Sequence, residues 1–276
     1  MPLMDFESIK NTAIRAAYKA GEVLQKYFGH LEKVEKKGDI DLLTIADLES
    51  EKAVIATIKE RFPDHSFLAE ESGNTTGSRE HCWIIDPLDG TTNFVHGLSL
   101  FSVSIAYALE GRVMVAVVLN PVTGELFTAV KGEGARLNGR IIRVSGCPKL
   151  IDSLLVTGFP YDLQTILDEL MTRFVSCLRA AQGVRRLGSA ALDLCFVACG
   201  RFDGFWEQNL KPWDTAAGRL VVEEAGGKVS DFSGMPYEKS YDPQKNQILA
   251  TNGLIHDQLL SILHQEPSGS SNRESL

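Results

Sequence analysis

The sequence predicts an α+β fold made of two packed subdomains, because two different patterns follow one another along the chain. In the first half, two helical segments precede short β-rich stretches separated by tight turns, which favour antiparallel pairing. From about residue 153 onward, strands and helices alternate instead. Only Gly146-Cys147-Pro148 separates the two patterns. We therefore expect residues 1–150 and 151–265 to form two subdomains with a site between them.

The predicted helices follow apolar residues at helical spacing and end at stop signals. In the first helix, apolar residues from Ile9 to Tyr27 recur every three or four positions, and the pattern stops at Gly29. The second begins at about Thr44, has capping-box spacing between Thr44 and Asp47, and ends before Pro63. The full set of predicted helices is 5–28, 44–62, 163–180, 190–198, 215–225 and 255–264.

The predicted strands are short runs rich in β-branched and aromatic residues. Glu110-Gly111-Arg112 and the segment 120–124 are the turns between consecutive strands of the first half. The predicted strands of the first half are 66–69, 82–85, 102–109, 113–119 and 125–130, and those of the second are 154–157, 203–207, 228–230 and 247–251.

Composition limits the classes of function. The chain has 276 residues, 44% of them hydrophobic, and a formal net charge of -8, which argues against a nucleic-acid ligand and is compatible with carboxylates that hold cations. The five cysteines show no metal-ligand spacing, and no run reaches the roughly 18 apolar residues of a membrane span. We expect a cytoplasmic protein without membrane contact, and a disordered tail over 266–276.

The segment 86–91, Asp-Pro-Leu-Asp-Gly-Thr, is the first candidate for chemistry. It places Asp86 and Asp89 three residues apart at a strand end, with a tight turn between them. Together with the Leu88 carbonyl, these carboxylates supply the oxygen ligands that Mg²⁺ selects. An ordinary Asp-Pro turn without metal explains this segment alone about equally well.

Three other segments carry chemistry less specifically. Glu70 and Glu71 follow a strand, and Glu70 can turn inward while Glu71 turns outward, although solvated pairs of this kind are common. Asp214 stands at a loop-to-helix junction, where an N-cap is the commoner use of aspartate. The helix start at 188–191 follows Arg185 and Arg186, an arrangement that suits a phosphate or polyol as well as simple packing.

The order of these segments along the chain is specific. Between about residues 5 and 264, the sequence resembles the inositol monophosphatase family, in particular its bacterial members. The segments that carry the resemblance are DLLTIAD at 41–47, AEES at 69–72, WIIDPLDGTTNF at 83–94, KPWDTAAG at 211–218 and EAGG at 224–227. The resemblance implies a layered αβαβα sandwich of the sugar-phosphatase type and a lithium-sensitive homodimer.

The resemblance also implies roles for individual residues. Two or three Mg²⁺ ions are expected on a common set of ligands, and Asp47, Thr91 and Glu70 are expected to be catalytic, the first two by positioning the attacking water. The implied metal ligands are Glu70, Asp86, Leu88, Asp89 and Asp214. The implied substrate contacts are Gly90 and Thr91 for the phosphate, Asp89, Arg185, Ala190 and Glu207 for the alcohol, and also Asp214.

The predicted reaction is hydrolysis of a small-molecule phosphate monoester, with myo-inositol monophosphate as the first candidate. Fructose 1,6-bisphosphate and 3'(2'),5'-bisphosphate nucleotides remain alternatives, because Arg185 and Arg186 could bind a second phosphate. A non-enzymatic metal-binding or regulatory protein is the last alternative. Asp47 and Thr91 argue against it, since a protein that only binds metal needs no pair to position water.

Overall fold

The computed structural model describes residues 5–30, 34–36, 42–75, 77–160, 166–237 and 246–264. The first half begins with two helices that pack against each other, α1 (Phe6–Tyr27) and α2 (Ile45–Lys59). Asp5 caps α1 by accepting from Ser8 N, and the predicted capping box between Thr44 and Asp47 begins α2. A short antiparallel pair connects the helices, β1 (Val34–Lys36) and β2 (Leu42–Thr44).

An eight-stranded sheet follows the two helices. Its strands are β3 (His65–Ala69), β4 (Gly73–Asn74), β5 (Ser78–Asp89), β6 (Ser102–Leu109), β7 (Arg112–Asn120), β8 (Glu125–Val130), β9 (Gly134–Leu137) and β10 (Arg140–Ile141), and α3 (Thr91–Val95) follows β5. The order is β10-β9-β8-β7-β6-β5-β3-β4. The predicted antiparallel pairing is confirmed from β5 to β8, whereas β3 and β5 run parallel.

The second half builds a five-stranded sheet in the order β12-β11-β13-β15-β14. After a 3₁₀ turn (Leu150–Asp152), its elements are β11 (Leu154–Thr157), α4 (Leu167–Ala180), β12 (Gly183–Arg186), α5 (Ala190–Ala198), β13 (Gly204–Gln208), α6 (Pro212–Glu224), β14 (Lys228–Ser230), β15 (Gln247–Thr251) and α7 (His256–Leu263). β11 pairs in parallel with both β12 and β13.

The buried side chains arrange these elements in five layers. α1 and α2 cover one face of the larger sheet, through a cluster that includes Ala17, Phe67 and Val117. α5 and α6 lie between the two sheets, since Phe127 and Phe205 belong to one core cluster with both helices. α4 and α7 cover the far face of the smaller sheet. The expected αβαβα sandwich is confirmed, and the middle helix layer belongs to the core of both sheets.

The structure differs from the predicted elements at α6, β5 and β12. α6 begins at Pro212 rather than Thr215, because proline is well suited to the first turn of a helix. β5 is longer than the predicted 82–85, and β12 was not predicted because Val184 is its only strongly apolar residue. The first three residues of the predicted helix 163–180 lie outside the described residues, and so does the whole predicted tail 266–276.

The cysteines and the lengths of the helices were also considered in the sequence. All five cysteines are free thiols, so none forms a disulfide. In the part of the chain that the structure describes, every helix is too short or too polar to cross a membrane.

Candidate active site

A cavity of about 340 Å³ lies where strand ends from both sheets meet the first turns of α5 and α6. Strand ends and helix N-termini favour a phosphate site, because they present loop side chains and unpaired backbone amides. Its walls contain most of the predicted site residues: Glu70, Asp86, Leu88, Asp89, Gly90, Thr91, Ala190, Glu207 and Asp214.

The turn at the end of β5 directs its two aspartates toward this cavity. Leu88 N donates to Asp86 Oδ1 at 3.0 Å, which fixes the turn between the two carboxylates. Gly90 has a positive φ of 97°, and a Cβ there would meet Leu100 O at 3.0 Å. Glycine is therefore required by both backbone conformation and space.

Thr91 connects the cavity to the first helix layer. Its Oγ1 lies 3.1 Å from both Leu88 O and Asp47 Oδ1, so its single proton is available to one acceptor at a time. Asp47 also accepts from Thr44 N at 2.8 Å and Thr44 Oγ1 at 2.6 Å. Asp47 is buried behind Thr91 rather than on the cavity wall, so it acts on the cavity through Thr91.

Asp89 is held by the first turn of α5. Ser189 Oγ donates to Asp89 Oδ2 at 2.5 Å, and the amides of Ala190 and Ala191 donate to its two oxygens at 3.3 and 2.8 Å. Burial nevertheless raises the pKa of Asp89 to about 6, because these hydrogen bonds only partly offset the loss of hydration.

Asp86 and Asp214, two other carboxylates of the cavity, also have raised pKa values. Burial, followed by the charges of Glu70, Asp89 and Asp214, raises the pKa of Asp86 well above its usual value. Burial likewise raises the pKa of Asp214, against a 2.6 Å hydrogen bond from Lys211 N. Four acids that oppose one another's ionisation are typical of a site that binds cations, because a cation removes the repulsion.

The donor set fits a hard divalent cation in its chemistry, since carboxylates and one backbone carbonyl are the ligands that Mg²⁺ prefers. Within the described residues, however, no three His, Cys, Asp or Glu side chains are arranged to hold one metal ion together. Asp86, Asp89 and Asp214 each accept hydrogen bonds from backbone amides instead. Joint coordination of one ion would require some of these side chains to rotate toward the cavity.

Arg185 is the predicted substrate contact that the structure does not place on the cavity. It is exposed, and its Nη1 donates to Val184 O at 3.1 Å. Arg186 lines the cavity instead. The reason is the alternation of β12, in which neighbouring side chains point to opposite faces, so a shift of one position reverses the direction of the side chain.

Several cavity residues were not predicted from sequence. Gly158, Phe159 and Pro160 follow β11, Asn209 and Lys211 lie between β13 and α6, and Trp213 lies in the first turn of α6. A further acid, Asp193, lies fully buried on α5, and neither of its carboxylate oxygens has a hydrogen-bond partner in the described part of the chain. Gly158 and Pro160, which are typical turn residues directly after the strand at 154–157, were the available signal for the first group. For Asp193, an acid inside an otherwise apolar helix was the signal.

The fold and the cavity agree with the comparisons to known proteins. The chain belongs to the inositol monophosphatase family, whose family model matches residues 5–268. Membership of this family supports a phosphatase activity.

Individual relatives cover nearly the whole chain. The chain is 45% identical to the Nus factor SuhB of Pseudomonas aeruginosa, over 94% of this chain and 97% of that protein. It is 44% identical to an inositol-1-monophosphatase of Synechocystis, over 95% and 91% of the two chains. Among solved structures, the inositol monophosphatase from Anabaena (Nostoc) superposes with a TM-score of 0.86 at 44% identity, covering 96% of this chain and 98% of that one.

Proposed function

We propose that the protein is a Mg²⁺-dependent phosphatase that hydrolyses myo-inositol monophosphate to inositol and phosphate. The observation that carries the proposal is the cavity in which Glu70, Asp86, Asp89 and Asp214 meet, with Thr91 in its wall. Phosphate monoesters repel both carboxylates and hydroxide, so such a cavity serves them only through cations. Bound Mg²⁺, as two or three ions, supplies charge neutralisation and a water of lowered pKa.

The protein residues orient the attacking water, accept its proton and admit the phosphate. Thr91 Oγ1 and Asp47 form a hydrogen-bonded pair that orients the attacking water and accepts its proton, because the Asp47 carboxylate is held by Thr44. The backbone at Gly90 allows the phosphate to approach closely, since no side chain stands there. Ser189 Oγ and the α5 amides restrain the Asp89 carboxylate by hydrogen bonds.

The alcohol side of the cavity favours a polyol. Glu207 and Ala190 line it, and the Glu207 carboxylate is an acceptor for hydroxyl groups. An inositol leaving group offers several hydroxyls to this acceptor. Arg186 and Lys211 also line the cavity, which keeps a bisphosphate such as fructose 1,6-bisphosphate or a 3'(2'),5'-bisphosphate nucleotide as the second candidate.

Phosphate release tests the proposal directly. The substrates are inositol 1-phosphate, fructose 1,6-bisphosphate and 3'-phosphoadenosine 5'-phosphate, each with and without Mg²⁺. We expect Mg²⁺-dependent release, fastest from inositol 1-phosphate and lost in Asp89→Asn and Asp214→Asn.

A matched pair of variants controls the test. Glu70→Gln should reduce the rate strongly, whereas Glu71→Gln should not, because Glu71 lies away from the cavity beside α2. Faster turnover of a bisphosphate would replace inositol monophosphate as the substrate. No release from folded protein that binds Mg²⁺ would favour a regulatory role, a possibility that the Nus factor name of the Pseudomonas relative raises for that protein.

The proposal includes a homodimer. Four apolar side chains of α4 are exposed at helical spacing and form one stripe: Leu167, Met171, Val175 and Leu178. A second copy packed antiparallel would cover this stripe and bring Asp168 opposite the other copy's Arg179. Sedimentation of Val175→Glu tests it: we expect the wild type to sediment as a dimer and the variant as a monomer.

Two further expectations extend the proposal. Lithium is expected to inhibit by displacing one Mg²⁺, which titration of Mg²⁺ against Li⁺ would detect as competition. The five free thiols favour a cytoplasmic location, which fractionation of the producing cells would test.

A further inference from the structure

The Glu207 carboxylate is buried in the active-site cavity, where a ligand could donate hydrogen bonds to it. Only 8% of the residue is exposed, and it lines the active-site cavity. Burial is the main reason that the pKa of Glu207 lies well above its usual value, followed by the charges of Asp214 and Asp89. Among the residues that the structure describes, no hydrogen bond to Glu207 opposes this rise. A buried acceptor without a protein donor is costly unless a ligand supplies the donor.

Gly158 is in direct contact with this carboxylate. A Cβ added to Gly158 would overlap Glu207 Oε1, Oε2 and Cδ together. The φ angle of Gly158 is not in the left-handed region, so its backbone does not need glycine. Space for the Glu207 carboxylate is therefore the reason that this position has no side chain.

The contact follows from the pairing of β11 with β13. Thr157 lies opposite Trp206 in this parallel pair, and Thr157 Oγ1 donates to Trp206 O at 2.6 Å. The next residues along the chain are Gly158, directly after the end of β11, and Glu207, within β13, so the last pair of the ladder brings the two close together.

The charged groups around Glu207 are mostly acids. Asp193 is fully buried, and the charges of Asp193 and Glu207 oppose each other. Asp89 and Asp214 repel Glu207 as well, and Arg186 is the cation that attracts it. A Cβ at position 158 would therefore force the Glu207 carboxylate out of its present position.

We propose that Gly158 is a positioning residue that sets the selectivity for hydroxylated leaving groups. Its bare Cα allows the Glu207 carboxylate to sit where it accepts hydrogen bonds from the alcohol part of the substrate. A larger residue would displace the carboxylate and weaken alcohol recognition much more than phosphate recognition. This inference rests on the proposed phosphatase function.

The test compares two substrates of Gly158→Ala. Inositol 1-phosphate has hydroxyls on its leaving group, whereas p-nitrophenyl phosphate has none. We expect the ratio of their kcat/KM values to fall about ten- to hundredfold in the variant, mainly through a higher KM for inositol 1-phosphate, as for the loss of a hydrogen bond to a charged group. Gly146→Ala is the matched control, because a Cβ there meets nothing within 4 Å.

A double-mutant cycle of Gly158 and Glu207 shows whether Gly158→Ala acts through the Glu207 carboxylate or disturbs the whole active site. If Gly158 acts through Glu207, Gly158→Ala should change the ratio less than twofold when added to Glu207→Ala. Glu207→Asp, which is shorter, should restore part of the ratio to Gly158→Ala. Ligand-observed NMR should show myo-inositol binding to the Mg²⁺- and phosphate-loaded wild type and weaker binding to Gly158→Ala.

The outcomes distinguish a failure of the proposed phosphatase function from a failure of the proposed role of Gly158. Failure of the wild type to hydrolyse either substrate would overturn the proposed function. Hydrolysis of both with an unchanged ratio in folded Gly158→Ala would overturn the role of Gly158 alone. If Gly158→Ala does not fold, the double variant with Glu207→Ala must fold, since it removes the overlap; an unfolded double variant would also overturn the inference.

Discussion

Replacing Asp89 by asparagine should stabilise the protein in the absence of metal while abolishing its activity. The rise of the Asp89 pKa from 3.8 to about 6 means that the folded state binds the proton more tightly than the unfolded state does. Stability therefore falls as the pH rises from about 4 through about 6, and the full cost is present above that range. A shift of this size corresponds to about 3 kcal/mol at pH 8.

The gain is smaller than this cost, because asparagine keeps only part of the hydrogen bonding. Two of the donors, Ser189 Oγ and Ala191 N, bind the same oxygen, Oδ2. An asparagine amide at that position loses about 1 kcal/mol or somewhat more of the hydrogen-bond contribution to the free energy of unfolding. We expect Asp89→Asn to be about 1–2 kcal/mol more stable than the wild type at pH 8 in EDTA, and no more stable than the wild type at pH 4.

Chemical denaturation at both pH values measures this difference, and Mg²⁺ should reverse it. At a hundred times its dissociation constant, Mg²⁺ stabilises the wild type by about 2.7 kcal/mol, whereas the variant has lost a ligand. Asp64→Asn, at an exposed carboxylate, is the control. A variant that is less stable than the wild type by equal amounts at both pH values would refute the repulsion argument.

Three further predictions follow from the same cavity. Asp193→Asn should raise stability more at pH 8 than at pH 5, because burial raises the pKa of Asp193 and its ionised form has no hydrogen-bond partner; thermal unfolding at the two pH values measures this, and equal shifts would contradict it. Mg²⁺ affinity should fall about tenfold or more per pH unit as the pH drops below 6, because protons compete with Mg²⁺ for Asp89 and Asp86. Calorimetric titration from pH 5 to 8 measures this affinity, and an affinity that does not change with pH would argue against these ligands. Thr91→Ala should lower kcat about a hundredfold or more while Mg²⁺ binding persists, because its hydroxyl and Asp47 orient the water; loss of Mg²⁺ binding in parallel would instead assign Thr91 a structural role.

The turn at 86–91 shows why part of the site could be predicted from sequence. Asp86, Leu88 and Thr91 are connected by hydrogen bonds between residues two or three positions apart, so their chemistry is contained in one short segment. The capping box of Thr44 and Asp47 is local in the same way, and its spacing predicted it correctly. Local hydrogen bonding requires little knowledge of the rest of the chain.

The alcohol side of the cavity was harder to predict. Whether Arg185 or Arg186 lines it depends on the register of β12, and a strand of four residues with one strongly apolar position gives no reliable pattern. Gly158 and Glu207 lie far apart in the chain, and only the pairing of β11 with β13 brings them together. The buried Asp193 likewise becomes unusual only when the two sheets enclose α5.

Hydrophobic periodicity and short-range hydrogen bonds are properties of the chain, so the class of the fold, most of its elements and the acids that surround the cavity could be predicted before the structure. Only the packed structure showed which side chains share the cavity and which of them burial drives toward protonation. These depend on strand register and on the loss of solvent between packed layers, and neither can be calculated from neighbours in the sequence.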